Sequence, residues 1–309
     1  MKWLKRILYL TIFFVLLLVV IYFVTSALQE TRSLNEETRL SAPGKFIRLT
    51  DGVTHYLSLG SENDTPLLFI HGGGITGMEV WSSNANFFVQ QGYRVVLYDL
   101  YGRGYSDRID GEYNPDLLLR QLEELTAALN LRDSLTVISM SLGSMVALDF
   151  ATKHPEKVEK IVMIDPAITG DYRANKLLQI PGVSDFLMTL YWYPRAVENQ
   201  RKEFIDQAIF EAYAKRLEYF MEFEGYKHTN YSTWMHTLNQ NKLPLLAQLP
   251  ATKVMLIYGN RDPYFPMANV DLFLKTYPAL QIREIYDAGH MPHLERSGEV
   301  NQIMLDFLY

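Results

Sequence analysis

Three hydrophobic patterns divide the chain. Ile7 to Val24 carries no charge and is apolar on every face, unlike a helix lying on a protein surface. From about residue 45 to 166, and again over 249–309, short apolar runs resembling buried strands alternate with stretches of helical period. Residues 167–248 break the alternation and read as helices rich in aromatic side chains, Trp192, Phe204, Phe210, Tyr213 and Trp234 among them, most of which are expected to form a small core of that segment's own. The pattern predicts an N-terminal membrane anchor over 1–28, a connector over 29–44, a core formed by 45–166 and 249–309, and a helical insertion over 167–248.

Within the core, Lys45–Leu49 and Val53–Leu59 flank Asp51-Gly52 and predict a hairpin. Further strands are expected at Leu67–Ile70, Arg94–Asp99, the run ending at Met140, Glu159–Ile164, Lys253–Tyr258 and Gln281–Tyr286. Helices are expected at Met78–Gln91, after Ser141 and near the C-terminus. A further helix over Pro115–Asn130 carries the stripe Leu117, Leu118, Leu122, Leu125 and Leu129, with Glu123 and Glu124 on a solvated face. Strands separated by helices require crossovers, so the fold class is α/β with a mostly parallel, doubly wound sheet of eight strands. Functional side chains then gather at the strands' carboxyl ends.

Composition narrows the functional classes. Of 309 residues 48% are hydrophobic, ample for a packed core. The net charge is −6, and it becomes more negative once Lys2, Lys5 and Arg6 are set aside, which argues against nucleic acid as a partner. The absence of cysteine excludes disulfides, thiolate catalysis, cysteine-ligated zinc and lipid attachment to a cysteine. The few histidines lack ligand spacing with carboxylates, so neither a metal nor another cofactor is expected.

Eighteen residues from Ile7 to Val24 span most of a hydrocarbon core of about 30 Å and exceed the usual apolar region of a cleaved signal. Basic residues before the span and Glu30, Glu36 and Glu37 after it place the N-terminus in the cytoplasm and the folded part outside it, as a single-pass membrane protein. Thr25-Ser26-Ala27 is a weak cleavage site, and removal of the segment stays an alternative.

The chemistry centres on Leu135–Leu148, where β-formers give way to a helix around Ser141 with no intervening loop. Such a turn lifts a serine clear of the sheet, beside the free N–H groups that open a helix. His71-Gly72-Gly73-Gly74 follows an earlier strand and presents backbone N–H groups, without the Gly-Lys-Ser/Thr sequel that phosphate binding would require. Asp262 and His290 each lie just past a strand.

Ser139-x-Ser141-x-Gly143 resembles the G-x-S-x-G nucleophile elbow of the α/β-hydrolases, with serine replacing the first glycine. The His71-Gly72-Gly73-Gly74 loop, Asp99-Leu100-Tyr101-Gly102-Arg103-Gly104-Tyr105-Ser106, Gly259-x-x-Asp262 and Gly289-His290-x-Pro292 are similar to further loops of that family, in its order Ser…Asp…His. The resemblance implies the α/β-hydrolase fold, with residues 167–248 at the position of its cap. It also implies Ser141 as nucleophile, His290 as base, Asp262 as its acid partner, and the N–H groups of Gly73 and Leu142 as oxyanion hole. His71 is then structural, His293 the competing base and Asp165 the alternative acid.

A serine at the elbow argues against the dehalogenases and epoxide hydrolases of this fold, which use aspartate there. The resemblance is greatest to monoacylglycerol-lipase-like members, and implies a serine esterase or lipase whose partners are a small lipophilic ester and, through the N-terminal helix, a membrane. A peptidase, thioesterase or C–C bond hydrolase with the same triad, and a non-catalytic binding protein, are the alternatives.

Overall fold

The structure is a computed structural model and describes residues 2–131, 135–170, 176–180, 182–250, 253–265, 267–278 and 280–309. An apolar helix α1 (Lys2–Ala27) leads to a short helix α2 (Glu36–Leu40), whose first turn is capped by Asn35 accepting from Thr38 N at 2.9 Å. The hairpin β1 (Lys45–Arg48) and β2 (Val53–Leu59) pairs antiparallel, Lys45 opposite Tyr56. Then come β3 (Pro66–Ile70), α3 (Ser82–Gln90), β4 (Arg94–Tyr98), α4 (Pro115–Ala128), β5 (Leu135–Met140), α5 (Leu142–Lys153) and β6 (Val158–Ile164). The inserted helices are α6 (Val183–Leu187), α7 (Ala196–Arg201), α8 (Gln207–Met221), α9 (Tyr226–His236) and α10 (Leu243–Leu246). The chain closes with β7 (Val254–Gly259), α11 (Met267–Thr276), β8 (Gln281–Ile285), α12 (Pro292–Glu295) and α13 (Ser297–Leu308).

All eight strands form one sheet in the order β1-β2-β4-β3-β5-β6-β7-β8, parallel from β4 to β8 and antiparallel at the β1 and β2 edge. Its central strands β4 and β5 are buried at every position because helices cover both faces, which is why they read as apolar runs without alternation. On one face Leu118, Leu122 and Leu125 of α4 pack with Met145 and Val146 of α5, and on the other Phe88 of α3 packs with Met304 of α13. Asn114 and Pro115 start α4, the Asn114 side chain accepting from Leu117 N at 3.0 Å.

Three local expectations change in the folded chain. Met78–Gln91 is a 3-10 turn over Gly77–Trp81 followed by α3, because Asp99 takes the Met78 N–H at 2.7 Å and Gly77 sits at φ 65°. Glu123 and Glu124 are not simply solvated. Glu123 holds Lys153 at 2.8 Å and His154 at 2.5 Å, and Glu124 accepts from Thr50 N at 2.8 Å. The aromatic side chains of the insertion do not form a core of their own: Phe204, Phe210 and Phe220 join the cluster that contains Phe69, Trp81 and Met291.

The connector over 29–44 contains α2 and is pinned to the insertion at Arg32. Arg32 N donates to Glu222 O at 2.9 Å, Glu224 N donates to Arg32 O at 2.8 Å, and the Arg32 guanidinium lies 4.6 Å from the Phe223 ring centroid.

Candidate active site

Ser141 stands between β5 and α5 at φ 46° and ψ −119°, a conformation that costs a non-glycine residue on the order of 1–3 kcal/mol. Its neighbours enforce it. Ser141 N donates to Ile164 O at 2.9 Å, and its carbonyl accepts from Ser144 N at 3.0 Å and Ala167 N at 3.2 Å. At Gly143 a Cβ would stand 2.5 Å from His71 O and 2.6 Å from Ile70 O, both rigid backbone atoms, so only glycine lets the helix approach β3 this closely. Ser139 is fully buried, with its hydroxyl 3.1 Å from Val162 O and 3.2 Å from Ser144 Oγ. One partner is on the neighbouring strand β6 and the other on α5, and the two together satisfy the hydroxyl of a serine buried there.

His290 and Asp262 meet on the loops after β8 and β7, with Nδ1 of His290 donating to Asp262 Oδ2 at 2.6 Å. The other carboxylate oxygen accepts Tyr264 N at 2.7 Å. Burial pulls the His290 pKa down, but the Asp262 charge and hydrogen bond outweigh it and leave the imidazole above its usual value. Burial pushes Asp262 up, and the His290 charge and hydrogen bond outweigh that in turn, leaving its pKa lowered. This pairing selects the tautomer that leaves Nε2 available to a substrate or a hydroxyl.

Asp165, at φ 41° beyond β6, lies behind the pair and accepts Gly259 N at 3.1 Å. Burial, the Asp262 charge and a hydrogen bond to Asp262 push its pKa well above its usual value, while the same hydrogen bond helps to lower that of Asp262. Single ligand atoms of Asp165, Asp262 and His290 lie within 4.8 Å of one another, spacing that suits a metal ion. Those atoms are engaged with each other as acid, carboxylate and imidazole. His293 is fully buried 4.3 Å from the Trp81 ring, with neither ring nitrogen hydrogen-bonded, and burial and the His290 charge push its pKa down to about 3. It is a neutral packing residue outside the cavity, while Ser141 and His290 both line it.

The glycine loop lies against the elbow: a Cβ on Gly72 would be 3.2 Å from Ser141 Cβ, and one on Gly73 would be 3.9 Å from Leu142 Cδ2. Among the described residues neither Gly73 N–H nor Leu142 N–H donates to another acceptor, so both are available to an oxyanion. His71 holds the loop as a neutral ring, Nδ1 donating to Gly72 O at 2.7 Å and Nε2 accepting Leu100 N at 2.9 Å, and burial pushes its pKa down to about 4. Asp99 organises the floor by accepting Met78 N, Tyr105 N and His55 Nδ1 at 2.7, 2.9 and 2.7 Å.

Three further groups carry no sequence motif that pointed to this role. Arg103 is buried and donates to Gly73 O at 3.4 Å, Tyr101 O at 3.1 Å and Thr233 Oγ1 at 2.8 Å, which braces the glycine loop against the insertion. Glu203, between α7 and α8, lines the cavity beside His290, and its carbonyl accepts His290 N at 2.8 Å. Burial raises the Glu203 pKa to about 7, with the His290 charge opposing. Glu295 accepts Ile205 N and Asp206 N at 2.6 Å on one oxygen and Gly289 N at 2.6 Å on the other, latching the insertion to the His290 loop.

The cavity holds about 400 Å³ and is walled by Met188, Trp192, Trp234 and Leu238 from the insertion and by the glycine loop below. A serine on a strained strand–helix turn, facing an Asp-supported imidazole across such a cavity, defines a hydrolase of the α/β class. The model of the alpha/beta hydrolase fold family matches residues 65–297, most of the chain, and the chain belongs to that family. It is 27% identical over 293 residues to a 2-hydroxy-6-oxononadienedioate/2-hydroxy-6-oxononatrienedioate hydrolase of Paraburkholderia phymatum, covering 87% of this chain and 96% of the relative. Similarity to the hydrolase of that name from Escherichia coli K12 is 25% over 285 residues, covering 86% and 92%. Among solved structures, a meta-cleavage product hydrolase of Pseudomonas fluorescens IP01 superposes with TM-score 0.69 at 19% identity, covering 86% of this chain and 97% of that one. An esterase of Thermogutta terrifontis superposes with TM-score 0.71 at 19% identity, covering 86% and 98%.

Proposed function

We propose that the protein is a membrane-anchored serine hydrolase that cleaves lipophilic carboxylic esters through an acyl-enzyme. The observation that carries this reading is the strained Ser141 turn opening onto the same cavity as His290, whose Nδ1 is held 2.6 Å from Asp262. His290 takes the Ser141 proton as the hydroxyl attacks the ester carbonyl. The tetrahedral oxygen is received by the N–H groups of Gly73 and Leu142, a contribution of about 3–4 kcal/mol per donor. His290 then protonates the leaving alcohol, and deprotonates the water that releases the acid. Asp262 keeps the ring in register and stabilises the imidazolium, with Asp165 hydrogen-bonded to Asp262.

Helix α1 is long and apolar enough to cross a bilayer, with a mean hydropathy of 3.0 in its most apolar window and no residue of that window fully buried. That supports the anchor, with the basic N-terminus cytoplasmic and the folded part outside.

The relatives named for a 2-hydroxy-6-oxononadienedioate favour a second reading, hydrolysis of a C–C bond by the same residues. The cavity's charge favours the ester. A dicarboxylate needs a cation for each carboxylate, whereas of the two cations lining the cavity Arg103 is engaged with protein oxygens, and the exposed Lys202 adjoins Glu203, which adds negative charge when ionised. Purified protein assayed on p-nitrophenyl esters of graded chain length and on a 2-hydroxy-6-oxodienoate separates the two. Ester turnover with preference for a medium or long acyl chain supports the first reading, and turnover of the dienoate alone supports the second.

A further inference from the structure

The C-terminal end of α1 is not free of the folded part. The Tyr22 hydroxyl donates to Asp185 of α6, and its ring stacks on Phe186 with centroids 5.9 Å apart. A few residues on, Gln29 Nε2 donates to Thr189 O at 3.0 Å, and Lys227 Nζ reaches Thr189 Oγ1 at 3.1 Å and Glu30 at 3.5 Å. Yet Tyr22 belongs to the apolar run that ends at Val24. At 1.5 Å per residue it lies about 3 Å inside the end of that run. Whatever touches Tyr22 is therefore at the level of the lipid headgroups, irrespective of the helix tilt.

We propose that the arm of the insertion formed by Ile180 and residues 182–195 is a second membrane contact, seated in the bilayer interface beside the anchor, and that it makes lipid the phase from which substrate enters the cavity. The inference rests on reading α1 as a membrane span. The arm's exposed side chains suit an interface: Ile180 and Tyr191 are 47% and 48% exposed, and the exposed Arg195 lies 4.3 Å from the Tyr191 ring centroid. Exposed apolar and aromatic side chains, the ring with a basic group over it, are the composition that settles at headgroup depth, the ring and the cation staying hydrated at one end. The arm's other side is the cavity wall, to which it contributes Met188, Trp192 and Tyr193. One short segment thus touches the anchor on one side and the reacting chamber on the other. A lipophilic ester dissolved in the bilayer would reach Ser141 past this arm without crossing water.

The chain has no cysteine, so single labels can be introduced into the full-length protein. Ile180→Cys, Val20→Cys and Glu62→Cys, each carrying an environment-sensitive fluorophore, are reconstituted in phosphatidylcholine–phosphatidylglycerol vesicles containing nitroxide-labelled lipid. Val20 reports the span, and Glu62 the exposed turn before β3, at the amino end of the parallel strands. The expected result is blue-shifted, quenched emission at positions 20 and 180 and aqueous emission at 62. Aqueous emission at 180 with a lipid signal at 20 overturns the inference and leaves the anchor intact. Aqueous emission at 20 overturns the anchor and the inference together. As a functional readout, Ile180→Glu should lower turnover of a vesicle-embedded long-chain ester about tenfold while leaving a water-soluble short ester unchanged. Equal effects on the two substrates contradict entry from lipid.

Discussion

The backbone N–H of His290 donates to the carbonyl of Glu203 at 2.8 Å, so the proposed base is held by the insertion as well as by the sheet. The same contact brings the Glu203 carboxyl beside the imidazole, where each charge acts on the other: Glu203 raises the His290 pKa, and His290 opposes the burial that lifts Glu203 to about 7.

A pH prediction follows from the sign of that coupling. An ionised Glu203 stabilises imidazolium and so delays the appearance of neutral His290 as pH rises. Glu203→Gln removes the charge, and the acid limb of the kcat/KM profile should move to lower pH. A pH–rate profile of the variant on a short ester checks this, and a limb that stays in place or moves upward contradicts it.

Asp165 and Asp262 compete for the acid's role, and their protonation separates them. The Asp165 pKa is pushed up and that of Asp262 down, so Asp165→Asn, uncharged and able to donate to Asp262, should change kcat less than about tenfold. Asp262→Asn should lower kcat on the order of 10³–10⁴-fold by offering His290 the wrong tautomer. The reverse order of effects would make Asp165 the acid.

Glu295 is 7% exposed and accepts three backbone N–H groups at 2.6 Å. Glu295→Ala leaves those donors without their shared acceptor and should cost about 2–4 kcal/mol of unfolding free energy. Urea denaturation measures it. A loss below about 0.5 kcal/mol would show that the latch is not a stabilising element.

The two elbow positions should behave oppositely. Gly143→Ala drives a Cβ to 2.5 Å from His71 O and should abolish activity by displacing α5 from β3. Ser139→Ala loses only the bonds to Val162 O and Ser144 Oγ, and should keep activity at a cost of about 1 kcal/mol. Comparable activity in the two variants would contradict this account of the elbow.

What the sequence made legible is what has a local signature. The strands buried on both faces appear as apolar runs, and Ser141, Asp262 and His290 each follow one, with glycines marking the close approaches around them. Relationships made only by the tertiary structure left no such trace. Glu203 and Glu295 are ordinary acidic residues in sequence, and they become a cavity wall and a latch because α7, α8 and the His290 loop meet. The stretch before β1 reads as a polar connector, and no local signal in it marks Arg32 as held between Glu222 and Glu224 by backbone hydrogen bonds. The aromatic residues of the insertion suggested a local core, yet those of α8 reach the core on the α3 and α13 side of the sheet. Composition alone does not say which surface an aromatic ring will meet.

The most direct test is active-site labelling with a fluorophosphonate, followed by peptide mass mapping, on the parent protein and on Ser141→Ala. A single phosphonylated residue at Ser141, with label and ester hydrolysis both lost in the variant and the fold retained by circular dichroism, is the predicted result. Label on another residue, or ester hydrolysis at the parent rate in Ser141→Ala, would contradict the proposed nucleophile and the mechanism built on it.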